Sequence, residues 1–319
     1  MYVFVHIGRA AGTTFRTVLR RNFGDKLLPI HGPQIKEHFG ATRTTPSTKN
    51  LTDEELTQIL NCHTGIECIS GHFFNFPNRF DNFNAMTILR DPVERVISHF
   101  FSFRRKYLDL DVDQLPDHIK YDYRYDINLF FKNWAYLSSK YGVANTCMNR
   151  QTYSIDSNMN LDQAINRLRN EFWFVGLVER FDESLLILRE QFKQLGKSFD
   201  IMYTSQDVAA SVVDGVHYMS QREAVKIQEK EKAELITDEI RRKIKEMNHM
   251  DCLLYEEAEK IFNEKLNQYP GEIETDLAIH RRQLKFWALK NRLYSDLKIN
   301  QVNSSLKWIK EKLTSIRFF

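Results

Sequence analysis

Apolar residues along this chain fall into short runs set between segments of helical period. Residues 2–7 form a short, β-rich apolar run and predict a buried strand. A loop over 8–14 follows, then a helix over 15–23 with Phe15, Val18 and Leu19 on one face. Residues 24–50 hold no long periodic segment and read as a loop-rich excursion. A capping box at Thr52–Glu55 opens a helix to about residue 62, and 67–73 is a candidate strand. The apolar run 85–89 is broken by Arg90-Asp91-Pro92, and 92–105 reads as a helix with Pro in its first turn.

Beyond this, 106–127 is an Asp- and Tyr-rich insertion with poor periodicity. Helices are expected over 129–137, 161–171, 182–195 and 251–266, and strands over 172–178 and 199–203. A second capping box at Ser220–Glu223 starts a charged helix to about 247. Strands alternating with helices give an α/β class, three layers around a central parallel sheet. Pro270-Gly271 is a break, so the expected domains are 1–269 and a helical extension over 270–319.

Composition changes this picture little. An apolar share of 42% and a charged share of 27% are those of an ordinary globular chain, which excludes general disorder and a disulfide scaffold. Charge is more telling once located. Residues 280–319 hold ten Lys/Arg against two Asp/Glu, a charge of +8 that leaves −5 for the rest of a chain whose net charge is +3. The extension is thus either an amphipathic helix packed on the body or on a second subunit, or a basic, Trp-bearing face for an anionic surface. The expected partners follow: no nucleic acid, with residues 280–319 open to a peripheral anionic surface or to self-association. The four Cys form no CxxC pair and no Cys/His set has zinc spacing, so no metal is expected. Read as starting at Met1, the chain shows no export signal and no span of ~18 apolar residues, so a cytoplasmic protein is expected, with membrane-peripheral placement open.

Two strand–turn–helix units carry candidate chemistry. In the first, Gly8-Arg9-Ala10-Ala11-Gly12-Thr13-Thr14 joins a strand to a helix N-terminus. That geometry offers backbone N–H groups and a positive dipole end to a phosphate, with Arg9 as a fixed cation and the two Thr as hydroxyl donors. The spacing lacks the fourth intervening residue and the Lys of a nucleoside-triphosphate P-loop. A tight structural turn is the rival reading. In the second, Arg90 ends a strand, where α/β sheets place ligands, and Ser98 lies eight residues on. Together they can grip one phosphate by fork and hydroxyl; the rival is a salt bridge from Arg90 to Asp91 or Glu94.

The first unit, Phe4 to Phe15, resembles the His-Ile-Pro-Lys-Thr-Gly-Gly-Thr-Ser-Phe opening of carbohydrate sulfotransferases, the group that includes heparan and uronyl 2-O-sulfotransferases. The second resembles that family's Arg-Asp-Pro element. Residues 145–151, 175–184 and 248–262 resemble it in the same order, so the likeness spans about 2–265. It implies a P-loop-like sulfotransferase fold, a bacterial-type soluble member, and transfer from 3′-phosphoadenosine 5′-phosphosulfate to a carbohydrate hydroxyl. The loop Gly8, Arg9, Ala10, Ala11, Gly12, Thr13 and Thr14 would cradle the 5′-phosphosulfate, and Arg90 with Ser98 would hold the 3′-phosphate. Here Gly8-Arg9 replaces the family's Pro-Lys and Ala11-Gly12 its Gly-Gly. The stretch Ser70-Gly71-His72 is similar to the one carrying that group's general base. An attacking sugar hydroxyl needs such a base near neutral pH, so His72 with Arg9 is the expected catalytic pair and His99 the second candidate base. A nucleotide phosphotransferase and a non-catalytic glycan-binding module on the same fold are the alternatives.

Overall fold

The structure is a computed structural model describing residues 1–30, 61–72, 83–107, 148–204 and 229–299, the side chains of 103–107 and 291–299 excepted. Five strands, β1 (Tyr2–Val5), β2 (Leu27–Ile30), β3 (Cys68–Gly71), β4 (Asn84–Leu89) and β5 (Phe172–Leu177), form one sheet in the order β2-β3-β1-β4-β5. Every pairing is parallel. Such strands are buried on both faces, and these read as near-continuous apolar runs.

Helices supply the outer layers. They are α1 (Gly12–Phe23), α2 (Pro92–Tyr107), α3 (Arg150–Ile155), α4 (Leu161–Asn170), α5 (Phe181–Gln194), α6 (Asp238–Met247), α7 (His249–Asn267) and α8 (Ile273–Ile299). Their ends follow local chemistry. Asn160 caps α4 by accepting from the Gln163 N–H, and Thr237 caps α6 by accepting from the Ile240 N–H. The main core lies on the sheet and joins Phe4, Phe15, Leu19, Met86, Leu168, Phe174, Leu186, Phe192, Leu254 and Phe262. Burying each such side chain contributes about 1.5–3 kcal/mol. A smaller cluster packs Val96, Ile97, Phe100 and Phe101 of α2 against Ile236 and Ile244. Leu277 of α8 enters the main core, His280 lies 3.8 Å from Asp182, and Arg21 stacks on Trp287 at 5.0 Å, so the start of α8 lies against the body.

Three differences from the sequence expectation have physical causes. Residues 27–30 were read as loop but form β2; Pro29 sits on the edge strand, where a missing N–H costs no ladder bond. Residues 199–203 are not a strand. Phe199 and Ile201 are buried, yet the backbone N–H and C=O of Asp200 bind the Asn22 side chain instead of a ladder. The helix ending near 247 is interrupted at 236–237, where Thr237 starts a new one. The helix over 52–62 up to residue 60, the insertion 106–127 from residue 108, the helix 129–137, the capping box at Ser220 and the chain from 300 on lie outside the described residues; residues 106 and 107 end α2. Among the described residues no helix is long and apolar enough to cross a membrane.

Candidate active site

The strand order fixes where a ligand can bind. From β1 the chain goes to β2, on one side; from β4 it goes to β5, on the other. The carboxyl ends of β1 and β4 therefore flank the crevice at a topological switch point. The loop after β1 carries Gly8 to Ala11, and Arg90 follows β4. On the far side of β1, His72 follows β3. Three adjacent strands thus deliver the Gly8–Ala11 loop, the strand-end Arg and the candidate base to one edge.

The loop is held by backbone conformation more than by side chains. Arg9 and Ala11 both adopt positive φ, 69° and 52°. For non-glycine residues this costs roughly 1–2 kcal/mol each, tolerated where the surroundings over-determine it. Ala11 is the N-cap of α1 and offers no side-chain acceptor, and the first turn of α1 contains no acid. The positive end of the helix dipole thus meets no carboxylate of its own first turn. Ala10 and Thr14 are buried, the Ala10 N–H donates to the Ile7 carbonyl at 3.2 Å and the Thr14 carbonyl accepts from the Thr17 hydroxyl at 2.7 Å.

The two units read separately in the sequence meet here. Arg9 donates to the Ser98 hydroxyl from Nε and Nη2, each at 3.2 Å. Arg90 donates from Nη1 to the Arg9 carbonyl at 3.2 Å. Ser98 therefore accepts from Arg9 rather than from Arg90. The rival partners of Arg90 are not used. Glu94 takes Lys232 and Arg241, and Asp91 caps the Glu94 N–H. The carboxylate facing Arg90 is Glu179, 4.0 Å from Nε. Glu179 also accepts from the Asp91 N–H at 3.1 Å and the Tyr255 hydroxyl at 2.7 Å. Burial first, then this hydrogen bond, push the Tyr255 hydroxyl pKa up, so it remains the donor. Arg180, next to Glu179 in sequence, pairs with Glu183 instead.

A buried polar framework holds the strand end. Gln151 is fully buried and clamps the backbone of Arg90, accepting from its N–H at 2.9 Å and donating to its C=O at 2.8 Å. Asp251 accepts from the N–H groups of Gln151 and Thr152 and from the Thr152 hydroxyl, and faces Arg95 at 3.7 Å. Asn149 bridges to α7, accepting from the N–H groups of Met250 and Asp251. With both ends of its amide on the Arg90 backbone, Gln151 supports the strand end. Asp251, Glu179 and Tyr255 were legible only as members of recurring stretches, with no role attached.

His72 has a defined tautomer. Its Nδ1 lies 2.6 Å from the carbonyl of His6, which can only accept, so Nδ1 carries the proton and Nε2 is the basic nitrogen. Its ring stacks on that of His6, centroids 4.3 Å apart and planes 23° apart. His6 in turn lies against Gly12: a methyl on Gly12 would sit 2.8 Å from His6 Cγ and nearer still to Cδ2 and Nε2. His6 thus physically links the loop after β1 to the candidate base. His99 differs. Burial, then the charges of Arg95, Arg9 and Arg150, push its pKa down to about 3, which makes it a weak base. The neighbours Phe73, Phe74 and Phe76 lie outside the described residues. Among the described residues no three His, Cys, Asp or Glu side chains gather as a metal site.

Comparison with known proteins adds two findings. The model of a family described as the sulfotransferase family matches residues 2–256. Mouse heparan-sulfate 6-O-sulfotransferase 3 is 26% identical over 301 residues, which covers 82% of this chain and 57% of the relative. The chain thus spans little more than half the length of that curated relative.

Proposed function

The chain belongs to the sulfotransferase family, and from that premise we propose that it moves a sulfuryl group from 3′-phosphoadenosine 5′-phosphosulfate to a carbohydrate hydroxyl. The observation carrying this reading is the convergence of Arg9, Ser98 and Arg90 at the β1/β4 switch point, with a base of fixed tautomer on the next strand. The donor fits the residues present. It carries two separated phosphate ends, and the crevice offers the N-terminal turn of α1 beyond β1 and Arg90 at the end of β4, with Arg9 reaching across to Ser98. A carbohydrate acceptor is taken from the name of the mouse relative together with the uncharged hydroxyl that a neutral imidazole suits.

The reaction balances simply. The acceptor oxygen bonds to sulfur as the bond from sulfur to the bridging phosphate oxygen breaks. The acceptor proton passes to His72 Nε2, and adenosine 3′,5′-bisphosphate leaves. Arg9 and the loop N–H groups, fixed before the reaction, stabilise charge as it builds on the departing phosphate. Arg9 presents a planar fork where the family motif has Lys, so it meets two phosphate oxygens at once rather than following one. The Nδ1 bond to the His6 carbonyl holds the His72 ring and favours its protonated state as the proton arrives. Gln151, Glu179 and Asp251 touch no substrate in this reading; they position Arg90.

The test is transfer of labelled sulfate from the donor to a panel of glycans and glycolipids, with His72→Ala beside the wild type. Loss of a general base lowers turnover by about 10²–10⁴-fold. The variant is expected to keep its affinity for adenosine 3′,5′-bisphosphate. Near-normal turnover in His72→Ala removes that residue from the mechanism.

A further inference from the structure

Among the described residues the exposed large apolar side chains are Leu195, Ile279, Phe286 and Leu289, and three of these four sit on α8. Their exposures are 49% for Ile279, 43% for Phe286 and 54% for Leu289. Spaced at i, i+7 and i+10, they fall within one stripe narrower than about 100° of the helix. The opposite face is occupied: Leu277 is in the core, His280 faces Asp182, and Trp287 lies under Arg21. The body thus fixes which way the stripe points. Arg282 is exposed within that arc, Lys285 is exposed on one flank of it and Lys290 is half-exposed on the other. No Asp or Glu occurs between residues 277 and 295, and the segment 280–319 carries the chain's +8.

We propose that this face of α8 docks the protein on an anionic lipid bilayer, the apolar stripe entering the headgroup boundary while the flanking Lys and Arg meet lipid phosphates. Three partners could cover an apolar stripe, and the flanking charge decides among them. A second copy of α8 would bring like charges together along the whole contact, a repulsion that opposes association. An anionic polysaccharide would satisfy the cations and leave Ile279, Phe286 and Leu289 in water. A bilayer with acidic headgroups satisfies both, as in-plane amphipathic helices do. The body's −5 charge opposes the tail's, so the protein would dock by α8 in one orientation. This inference is independent of the donor site and of the reaction proposed above.

The experiment is sedimentation of the full chain with vesicles of phosphatidylcholine alone or mixed with phosphatidylglycerol, at low and high salt. The wild type is expected to bind the mixed vesicles, to ignore phosphatidylcholine, and to be released by salt. Each basic residue near an acidic surface is worth about fivefold in partitioning. Lys285→Glu with Lys290→Glu should therefore lower binding by more than about a hundredfold, and Ile279→Ser with Leu289→Ser by about tenfold. All four positions are on the solvent face, and unchanged melting temperatures establish that both variants fold. Absence of binding to mixed vesicles overturns the proposal. So does wild-type partitioning by the Ser variant, since binding then rests on charge alone and heparin should compete for it. A concentration-dependent dimer abolished by the Ser variant, seen by sedimentation equilibrium without lipid, also overturns it in favour of self-association.

Discussion

Replacing Gly12 by Ala tests the link between the loop after β1 and the candidate base through the sign of its effect. Gly12 is the first residue of α1, and on helix propensity alone Ala should stabilise by up to about 1 kcal/mol. The structure predicts the reverse. The new methyl would overlap the His6 ring, 2.8 Å from Cγ and closer to the outer edge. The ring has little room to withdraw, being buried and stacked between Phe4, centroids 5.7 Å apart, and His72 at 4.3 Å. Overpacking of this kind costs about 1–3 kcal/mol. Set against the full propensity gain, the net loss is up to about 2 kcal/mol, or a fall in Tm of up to roughly 8 °C. Because a displaced His6 also moves the carbonyl that orients His72, turnover should fall more steeply than stability. Thermal melts of Gly12→Ala, His6→Ala and the double variant form a cycle. In the His6→Ala background the methyl has space, and Gly12→Ala should become neutral or stabilising. A raised Tm for the single variant, or additive effects in the cycle, refutes the steric link.

Other expectations follow from the same geometry. Gln151→Leu leaves the N–H and C=O of Arg90 without their buried partner, which should cost about 2–5 kcal/mol in urea unfolding; a loss under about 1 kcal/mol would show that water replaces the clamp. The same variant should raise KM for the donor more than it lowers kcat. Burial pushes the pKa of His99 down to about 3 and that of His280 down to about 4, so both stay neutral in the folded chain where the unfolded chain would protonate them. The unfolded state then binds more protons below pH 6.5, and stability falls with falling pH, by up to about 1.4 kcal/mol per pH unit for each group. His99→Gln should remove about one such slope between pH 6 and 4 from pH-dependent denaturation curves; identical curves contradict its burial as the neutral form.

Much of the fold could be read in advance because parallel strands advertise themselves. Residues 2–5, 85–89 and 172–177 are unbroken apolar runs followed by turn or helix signals, and each is a strand. What escaped notice depended on tertiary partners. The run Leu27–Ile30 contains a proline that only an edge position excuses, and edge position is invisible without the sheet. Phe199 and Ile201 have strand character, yet Asn22, far away in sequence, takes the backbone groups. The site divides the same way. Arg9, Ser98 and Arg90 stand out as candidates because strand ends and loop motifs locate them, and His72 because its stretch resembles a family motif. Gln151, Glu179, Asp251 and the His6 ring act through contacts across 60 to 160 residues of sequence, which no local pattern records.

The central claim is that the crevice between β1 and β4 binds one donor by its two phosphate ends. Calorimetric titration of the wild type and of Arg90→Ala, with adenosine 3′,5′-bisphosphate and with adenosine 5′-phosphate, addresses it directly. Loss of a charge-assisted contact worth about 1.5–3 kcal/mol should weaken the bisphosphate about 10- to 150-fold in the variant. The 5′-phosphate, lacking the 3′ group, should bind both proteins alike. Equal losses for the two nucleotides, or no bisphosphate binding by the wild type, would contradict the account.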